Sequence, residues 1–97
     1  MKKFVYVVAN MADRNNLIDF LVKTKSKYLT EVNYSEGYIT LSNERWYFYN
    51  IYEANFLDIA LMDGYRFSQK AKMSLVKTEG YHKMRKRLSG LYKESRK

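Results

Sequence analysis

The side chains best suited to binding chemistry lie near the C-terminal end of the chain, where basic residues form a run. Residues 83–87 read Lys-Met-Arg-Lys-Arg, and Lys93 follows two helical turns after the middle of that run. Lysine and arginine neutralise phosphates and release the counterions around a nucleic acid, so such a run predicts salt-dependent binding to a polyanion. The candidate phosphate-binding residues of this segment are Lys83, Arg85, Lys86, Arg87 and Lys93.

Positive charge is distributed unequally along the chain. The 97 residues include 18 Lys and Arg and 10 Asp and Glu, a formal net charge of +8. Residues 1–69 contain eight residues of each sign, whereas residues 70–97 contain ten basic residues against Glu79 and Glu94. The whole excess therefore lies in the second segment, which favours an anionic partner, either a nucleic acid or an acidic protein surface.

Apolar residues interleave with these charges at helical spacing. They form a narrow seam with steps of three, four and three residues, at Tyr81, Met84, Leu88 and Leu91. Such a seam can dock a basic helix on its own domain, or it can pair two copies of the chain in a homodimer. A basic amphipathic helix can also bind an anionic membrane surface or a groove in a partner protein.

A second group of candidate residues is aromatic and lies between residues 30 and 52. This segment is rich in Thr, Val, Ile, Tyr, Phe and Trp, which predicts a meander of strands. A hairpin loop at Asn43-Glu44 would give the last two strands two distinct faces. The predicted core face carries Ile39, Leu41, Trp46 and Phe48. The predicted outer face carries Tyr38, Thr40, Tyr47 and Tyr49.

Two stretches of the chain resemble motifs of the RNA-recognition-motif family. Residues 45–52, Arg-Trp-Tyr-Phe-Tyr-Asn-Ile-Tyr, resemble its eight-residue motif, which has a basic residue first, aromatics third and fifth, and an aromatic last. Residues 5–7, Val-Tyr-Val, are similar to its second motif. The resemblance implies that Tyr6, Tyr47 and Tyr49 stack on unpaired bases and that Arg45 holds phosphate.

The elements that must position these residues follow from hydrophobic periodicity. Residues 3–9 are almost continuously apolar, which is typical of a strand in the centre of a sheet. Asn10 and Asp13 resemble a capping pair, and apolar residues then recur at helical spacing over about residues 12–28.

The second half of the chain is predicted to contain a short helix and a final strand. Asn55 can cap the helix and Gly64 can end it in the left-handed conformation. Residues 65–67 and 72–76 both allow an extended segment, so the final strand has two candidate positions.

This order of elements predicts an α+β fold, a small ferredoxin-like βαββαβ sandwich with a basic C-terminal helix appended. If residues 30–34 form a separate strand, the alternative is a small α/β sheet covered on both faces, with three layers. The length predicts one domain, with a neutral α+β body at 1–79 and a basic helix or tail at 80–97.

Composition argues against several functional classes. No apolar run is long enough to span a membrane, and the opening residues are too short for a signal peptide, so we expect an intracellular, cytoplasmic protein. The chain has no cysteine and one histidine, His82, which argues against thiol catalysis and a metal site. Asp58 and Asp63 lie five residues apart and so on different faces of a helix, which argues against paired acid-base catalysis.

We therefore expect no catalytic residues, no metal and no cofactor, with an unrecognised nuclease as the enzymatic alternative. The leading prediction is a small, non-enzymatic accessory protein that binds DNA or RNA through the basic helix and the tyrosine face. The alternative is a virus- or mobile-element-encoded inhibitor or adaptor that binds a host protein.

Overall fold

The computed structural model describes the backbone of residues 1–52, 56–77 and 80–95, and the side chains of these except at 56, 57, 81, 92, 94 and 95. Within these residues the chain forms five strands and four helices. In chain order the elements are β1 (Lys2–Val8), α1 (Met11–Thr24), β2 (Leu29–Asn33), β3 (Tyr38–Leu41), β4 (Glu44–Asn50), α2 (Phe56–Ala60), β5 (Gly64–Phe67), α3 (Gln69–Lys77) and α4 (Gly80–Ser95).

The five strands form one mixed sheet in the order β2-β3-β4-β1-β5. The β2-β3 and β3-β4 pairs are antiparallel, whereas β1 runs parallel to both of its neighbours, β4 and β5. Val5 and Val7 on β1 are 0% exposed, because this strand has a partner on each edge and helices pack over it. The prediction of a central first strand is therefore confirmed.

Helices lie on both sides of the sheet. On one side, Ile18 of α1 packs against Ile39 and Phe48. On the other side, Val5 and Val7 pack with the apolar residues of the later helices. Because neighbouring residues of a strand point to opposite faces, these two clusters are separate cores on either side of one sheet.

The α+β class predicted from the order of elements is confirmed, but the ferredoxin-like topology is not. Residues 29–33 form a separate strand, which was the condition for the alternative arrangement. The helices cover both faces, and the arrangement is compatible with a small α/β fold.

The capping pattern in the sequence correctly predicted the start of the first helix. The side chain of Asn10 accepts a hydrogen bond from the backbone N–H of Asp13 at 2.8 Å, as the predicted cap requires. The helix ends at Thr24, four residues before the predicted end, and Lys25 is its C-cap.

The β3-β4 hairpin has the predicted faces in a different register. Tyr38 lies opposite Tyr47, and Ile39 lies opposite Trp46, so the pairing is displaced by two residues from a loop at Asn43-Glu44. Ser42 adopts a left-handed φ of 51°, which places the turn at Ser42 and Asn43. A displacement of two leaves every side chain on its original face, because side chains alternate with a period of two.

The segment from α2 to α3 corrects two predictions. Gly64 does not end a helix in the left-handed conformation but begins β5, where an added Cβ would lie 3.1 Å from the Phe4 ring. Residues 72–76 belong to α3, so the final strand is the one containing residues 65–67. The predicted cap Asn55 lies outside the described residues.

Candidate nucleic-acid interface

The apolar seam of α4 lies against the chain's own core. Met84 is 8% exposed and Leu88 is 0% exposed, and both belong to the cluster that contains Val5 and Val7. Leu91 is half-buried, and the side chain of Tyr81 lies outside the described residues. The homodimer predicted through this seam is not supported, because its two central side chains are already buried within one chain.

Burial of the seam determines which charges of α4 face outward. Lys83, Lys86 and Lys93 are exposed on the side of the helix opposite Met84 and Leu88. Arg85 and Arg87 are also exposed and lie at the two flanks of the buried stripe. The structure therefore brings all five predicted basic residues of this segment onto one helix, and we call the exposed surface of α4 that they form the cationic face.

The unequal charge along the chain is also an unequal charge in space. Helix α3 carries Lys70, Lys72 and Lys77, and it packs against α4. Lys70 is held 3.7 Å from Asp13, an exposed ion pair that adds little stability. The basic residues that follow residue 69 thus lie on two helices that pack together.

A groove of about 500 Å³ adjoins this region at the edge strand β5. Its polar lining includes Arg66 of β5, Lys72 of α3 and Arg85 of α4, together with aromatic side chains. We call it the cationic groove. Its lining residues are Tyr6, Tyr65, Arg66, Phe67, Lys72 and Arg85.

Two cations of this groove, Arg66 and Lys72, were not among the binding residues predicted from the sequence. Lys72 was missed because residues 72–76 were considered a possible strand, whereas in α3 this residue lies beside the buried Ala71 and turns toward β5. For Arg66, one sequence pattern was informative. It lies between Tyr65 and Phe67 on a strand, and the alternation of side chains places it on the face opposite to theirs.

The ring of Tyr38 is buried among other side chains and is not accessible for stacking on a base. Its side chain is 8% exposed, the Arg45 guanidinium carbon lies 4.4 Å from its ring centroid, and the Tyr47 ring lies 5.4 Å away. A hydrogen bond to Glu31 is the main reason why the pKa of the Tyr38 phenol is raised above its ordinary value.

Arg45 is occupied by neighbours on the β2-β3-β4 side of the sheet. Its Nε donates to Thr40 Oγ1 at 3.1 Å, and its guanidinium lies 3.4 Å from a Glu31 carboxylate oxygen. These contacts add to its contact with the Tyr38 ring. Arg45 lies on β4, which β1 separates from β5, and it is not among the residues that line the cationic groove.

The strand register separates the three tyrosines that the family resemblance implied as one stacking surface. Tyr6 pairs with Phe48, whereas Tyr47 pairs with Val5, so Tyr6 points to the opposite side of the sheet from Tyr47 and Tyr49. Tyr47 and Tyr49 are half-buried and pack against the core under α2 and α4. Of the four predicted tyrosines, only Tyr6 lines the cationic groove.

Neither a metal-binding cluster nor a membrane-spanning helix is found in the part of the chain that the structure describes. That part contains no group of three or more acidic, histidine or cysteine side chains suited to holding a metal ion. No helix in residues 1–52, 56–77 and 80–95 combines the length and apolar composition needed to cross a bilayer. Comparison of the chain with protein-family models, with curated proteins and with solved structures finds no match.

Proposed function

We propose that this chain is a small, non-enzymatic, intracellular accessory protein that binds nucleic acid through the cationic face of α4 and the cationic groove. The observation that carries the proposal is the burial of Met84 and Leu88, which fixes Lys83, Lys86 and Lys93 on the outer side of a docked helix. A fixed array of cations loses less conformational freedom on binding than the same charges on a loose tail.

The dimensions of the cationic face suit a nucleic-acid backbone. Lys83 and Lys93 are ten residues apart on one helix, which corresponds to about 15 Å along its axis. A duplex carries roughly nine phosphate charges over that length, so several phosphates are within reach of the lysines together. The expected binding is sequence-independent, with a dissociation constant of about 10⁻⁴ to 10⁻⁶ M at physiological salt.

The cationic groove extends this surface to the edge of the sheet. Arg85 lines the groove and also lies on α4, so it connects the two regions. Arg66 and Lys72 add two cations from β5 and α3. The proposal does not use Tyr38, whose side chain is buried.

A salt titration with charge-neutralised variants tests the proposal. The triple variant Lys83→Gln, Lys86→Gln and Lys93→Gln removes three exposed charges without touching the buried seam. We expect the slope of log affinity against log salt concentration to become shallower by about 2 to 3, because each lost phosphate contact contributes roughly 0.7 to 0.9. The measurement is fluorescence anisotropy with labelled single-stranded and duplex oligonucleotides.

The matched control removes the same charge from a distant surface. Lys23, Lys25 and Lys27 are exposed at and beyond the C-terminal end of α1, and their triple glutamine variant also lowers the formal charge by three. We expect this variant to keep the slope of the unaltered protein within about one unit. Equal losses in both triple variants, or binding that does not depend on salt, would contradict the proposed surface.

An acidic protein surface would bind the same cations, so the experiment must distinguish a nucleic acid from a protein as the partner. A purified oligonucleotide that binds with the expected salt slope supports nucleic acid. If no oligonucleotide binds and a complex isolated from cells survives nuclease treatment, the alternative of an inhibitor or adaptor replaces the proposal.

A further inference from the structure

The sheet face beneath α1 is not covered evenly by this helix. Helix α1 packs mainly over β4 and β1, whereas β5 lies beyond β1 at the edge of the sheet. The register places Tyr6 beside Arg66 on this face, and Phe4 beside Trp46. Phe4, Tyr6 and Trp46 are all half-buried, so part of each ring faces solvent.

The rings of Tyr6 and Trp46 form one wall of a groove of about 350 Å³ between α1 and the sheet. Leu17 and Leu21 of α1 form the opposite wall, and Arg66 lies at the β5 end. We call this the aromatic groove. Its volume is at the lower end of the range for small-ligand pockets, and its mostly apolar lining suits a flat ring system rather than a charged group.

The indole of Trp46 is held in a defined orientation. Its ring is stacked on Phe4 with 4.7 Å between centroids and 22° between planes, and its Nε1 donates to Glu44 Oε2 at 3.2 Å. Gly64 contributes indirectly, since a Cβ at this position would lie 3.1 Å from the Phe4 ring. A ring that is already fixed provides a stacking platform at low entropic cost.

The aromatic groove is continuous with the cationic groove. Tyr6 and Arg66 line both of them, so the two grooves meet at these two side chains beside the edge strand β5. The charges define a direction: the Glu44 carboxylate lies at the Trp46 end, and Arg66, Lys72 and Arg85 lie at the other. Phosphates are favoured at the Arg66 end, which leaves the aromatic groove for the bases.

We infer that the aromatic groove binds unpaired bases of a single-stranded nucleic acid whose phosphates lie along the cationic groove. The inference rests on the proposed function and specifies the form of nucleic acid that this site takes. Bases in a duplex are paired and stacked, so their faces cannot reach Tyr6 and Trp46 in a recessed groove. Duplex can still bind the cationic face of α4, where only phosphates are contacted.

Trp46 is the only tryptophan of the chain, which makes it a reporter for this groove. We expect a 20-nucleotide single strand to quench Trp46 fluorescence on binding, because a base stacked near the indole deactivates its excited state. The matching 20-base-pair duplex should bind, by anisotropy of a labelled end, without comparable quenching. Photo-crosslinking with a single strand containing 4-thiothymidine should attach a base at Tyr6 or Trp46, located by mass spectrometry.

A variant pair tests the energetic contribution. Tyr6→Leu keeps an apolar side chain but removes the stacking ring, and we expect single-strand affinity to fall by about 5- to 150-fold while duplex affinity is unchanged. Tyr52→Leu is the control, since this tyrosine is 84% exposed and lines neither groove. If circular dichroism shows that Tyr6→Leu is unfolded, quenching and crosslinking in the unaltered protein decide the question.

Failure of this inference is distinguishable from failure of the proposed function. Salt-dependent binding of single strands without Trp46 quenching and without a crosslink at Tyr6 or Trp46 would overturn the base-binding groove and leave the proposed function intact. Absence of binding to both single strand and duplex would overturn both.

Discussion

Helix α4 is proposed to have two roles, and the substitution Leu88→Ala isolates the structural one. Leu88 is 0% exposed and packs in the core cluster with Met84, Val5 and Val7. Replacing it removes buried methyl and methylene groups on the inner side of α4 and leaves every charge of the outer side in place. The free energy of unfolding of this variant therefore shows whether the basic segment is part of the fold or a loose tail.

The expected cost follows from the complete burial of the side chain. Leucine to alanine in a core lowers the free energy of unfolding by about 2 to 5 kcal/mol, depending on how far the surroundings close on the cavity. A loss of about 3 kcal/mol is a large part of the roughly 5 to 15 kcal/mol that stabilises a small domain. For a domain of this length, that loss lowers the melting temperature by roughly 12 to 24 °C.

Urea denaturation measures this cost, with Trp46 fluorescence as the probe. Trp46 lies on the α1 side of the sheet, so a change in its transition midpoint shows that α4 stabilises the whole domain. The midpoint should fall by about 1 to 3 M for a loss of about 3 kcal/mol. Lys86→Ala is the control, because this residue is exposed on the same helix and should change stability by no more than about 0.5 kcal/mol. Identical midpoints for the two variants would refute the docking of α4.

Two further predictions concern turns and titration. Gly37 has a φ of 74°, and an added Cβ would lie 2.6 Å from Arg14 Nη1, so Gly37→Ala should cost about 1 to 2 kcal/mol or more in a thermal melt. Gly90→Ala, with no atom within 4 Å of the new Cβ, should instead stabilise by up to about 1 kcal/mol, and the same sign for both would contradict the geometry. The hydrogen bond from the Tyr34 hydroxyl to Asp19 raises the Tyr34 pKa. This bond stabilises the fold below pH about 10 and is lost as the pH rises through the raised value. Asp19→Asn should lower the Tyr34 pKa, measured from its Cζ NMR resonance, and an unchanged titration would exclude the Asp19 hydrogen bond as the cause of the shift.

The binding prediction must be tested by substitution rather than by truncation. A chain ending near residue 79 would lose core residues as well as charges, because Met84 and Leu88 are buried in the cluster that contains Val5 and Val7. The charge variants avoid this difficulty, since their side chains lie on the exposed side of α4.

Features that depend on neighbouring residues could be read from the sequence. The Asn10 cap, the central β1 strand and the two faces of the β3-β4 hairpin all follow from local spacing. The hairpin register was displaced by two residues because the turn conformation of Ser42, with its left-handed φ, has no strong signal in a serine. The face of each side chain was still correct, because only an odd displacement exchanges the faces.

Other features depend on contacts between distant parts of the chain. The buried guanidinium of Arg14, 7% exposed, donates to the Tyr34 carbonyl oxygen at 3.0 Å, a contact that needs the loop before Gly37 to return over α1. Likewise, the separation of Tyr6 from Tyr47 onto opposite sides of the sheet was decided by the parallel pairing of β1 with β4. A family resemblance read on each strand separately carries no information about that pairing.

The sequence by itself determined β1, the start of α1, the two faces of the β3-β4 hairpin, the α+β class, the segregation of charge and the side of α4 that is apolar. Tertiary structure alone decided that Arg66, Lys72 and Arg85 line one groove and that Tyr6 connects it to Trp46. The physical reason is that periodicity and capping act within a few residues, whereas strand order and helix docking depend on which distant apolar surfaces bury each other.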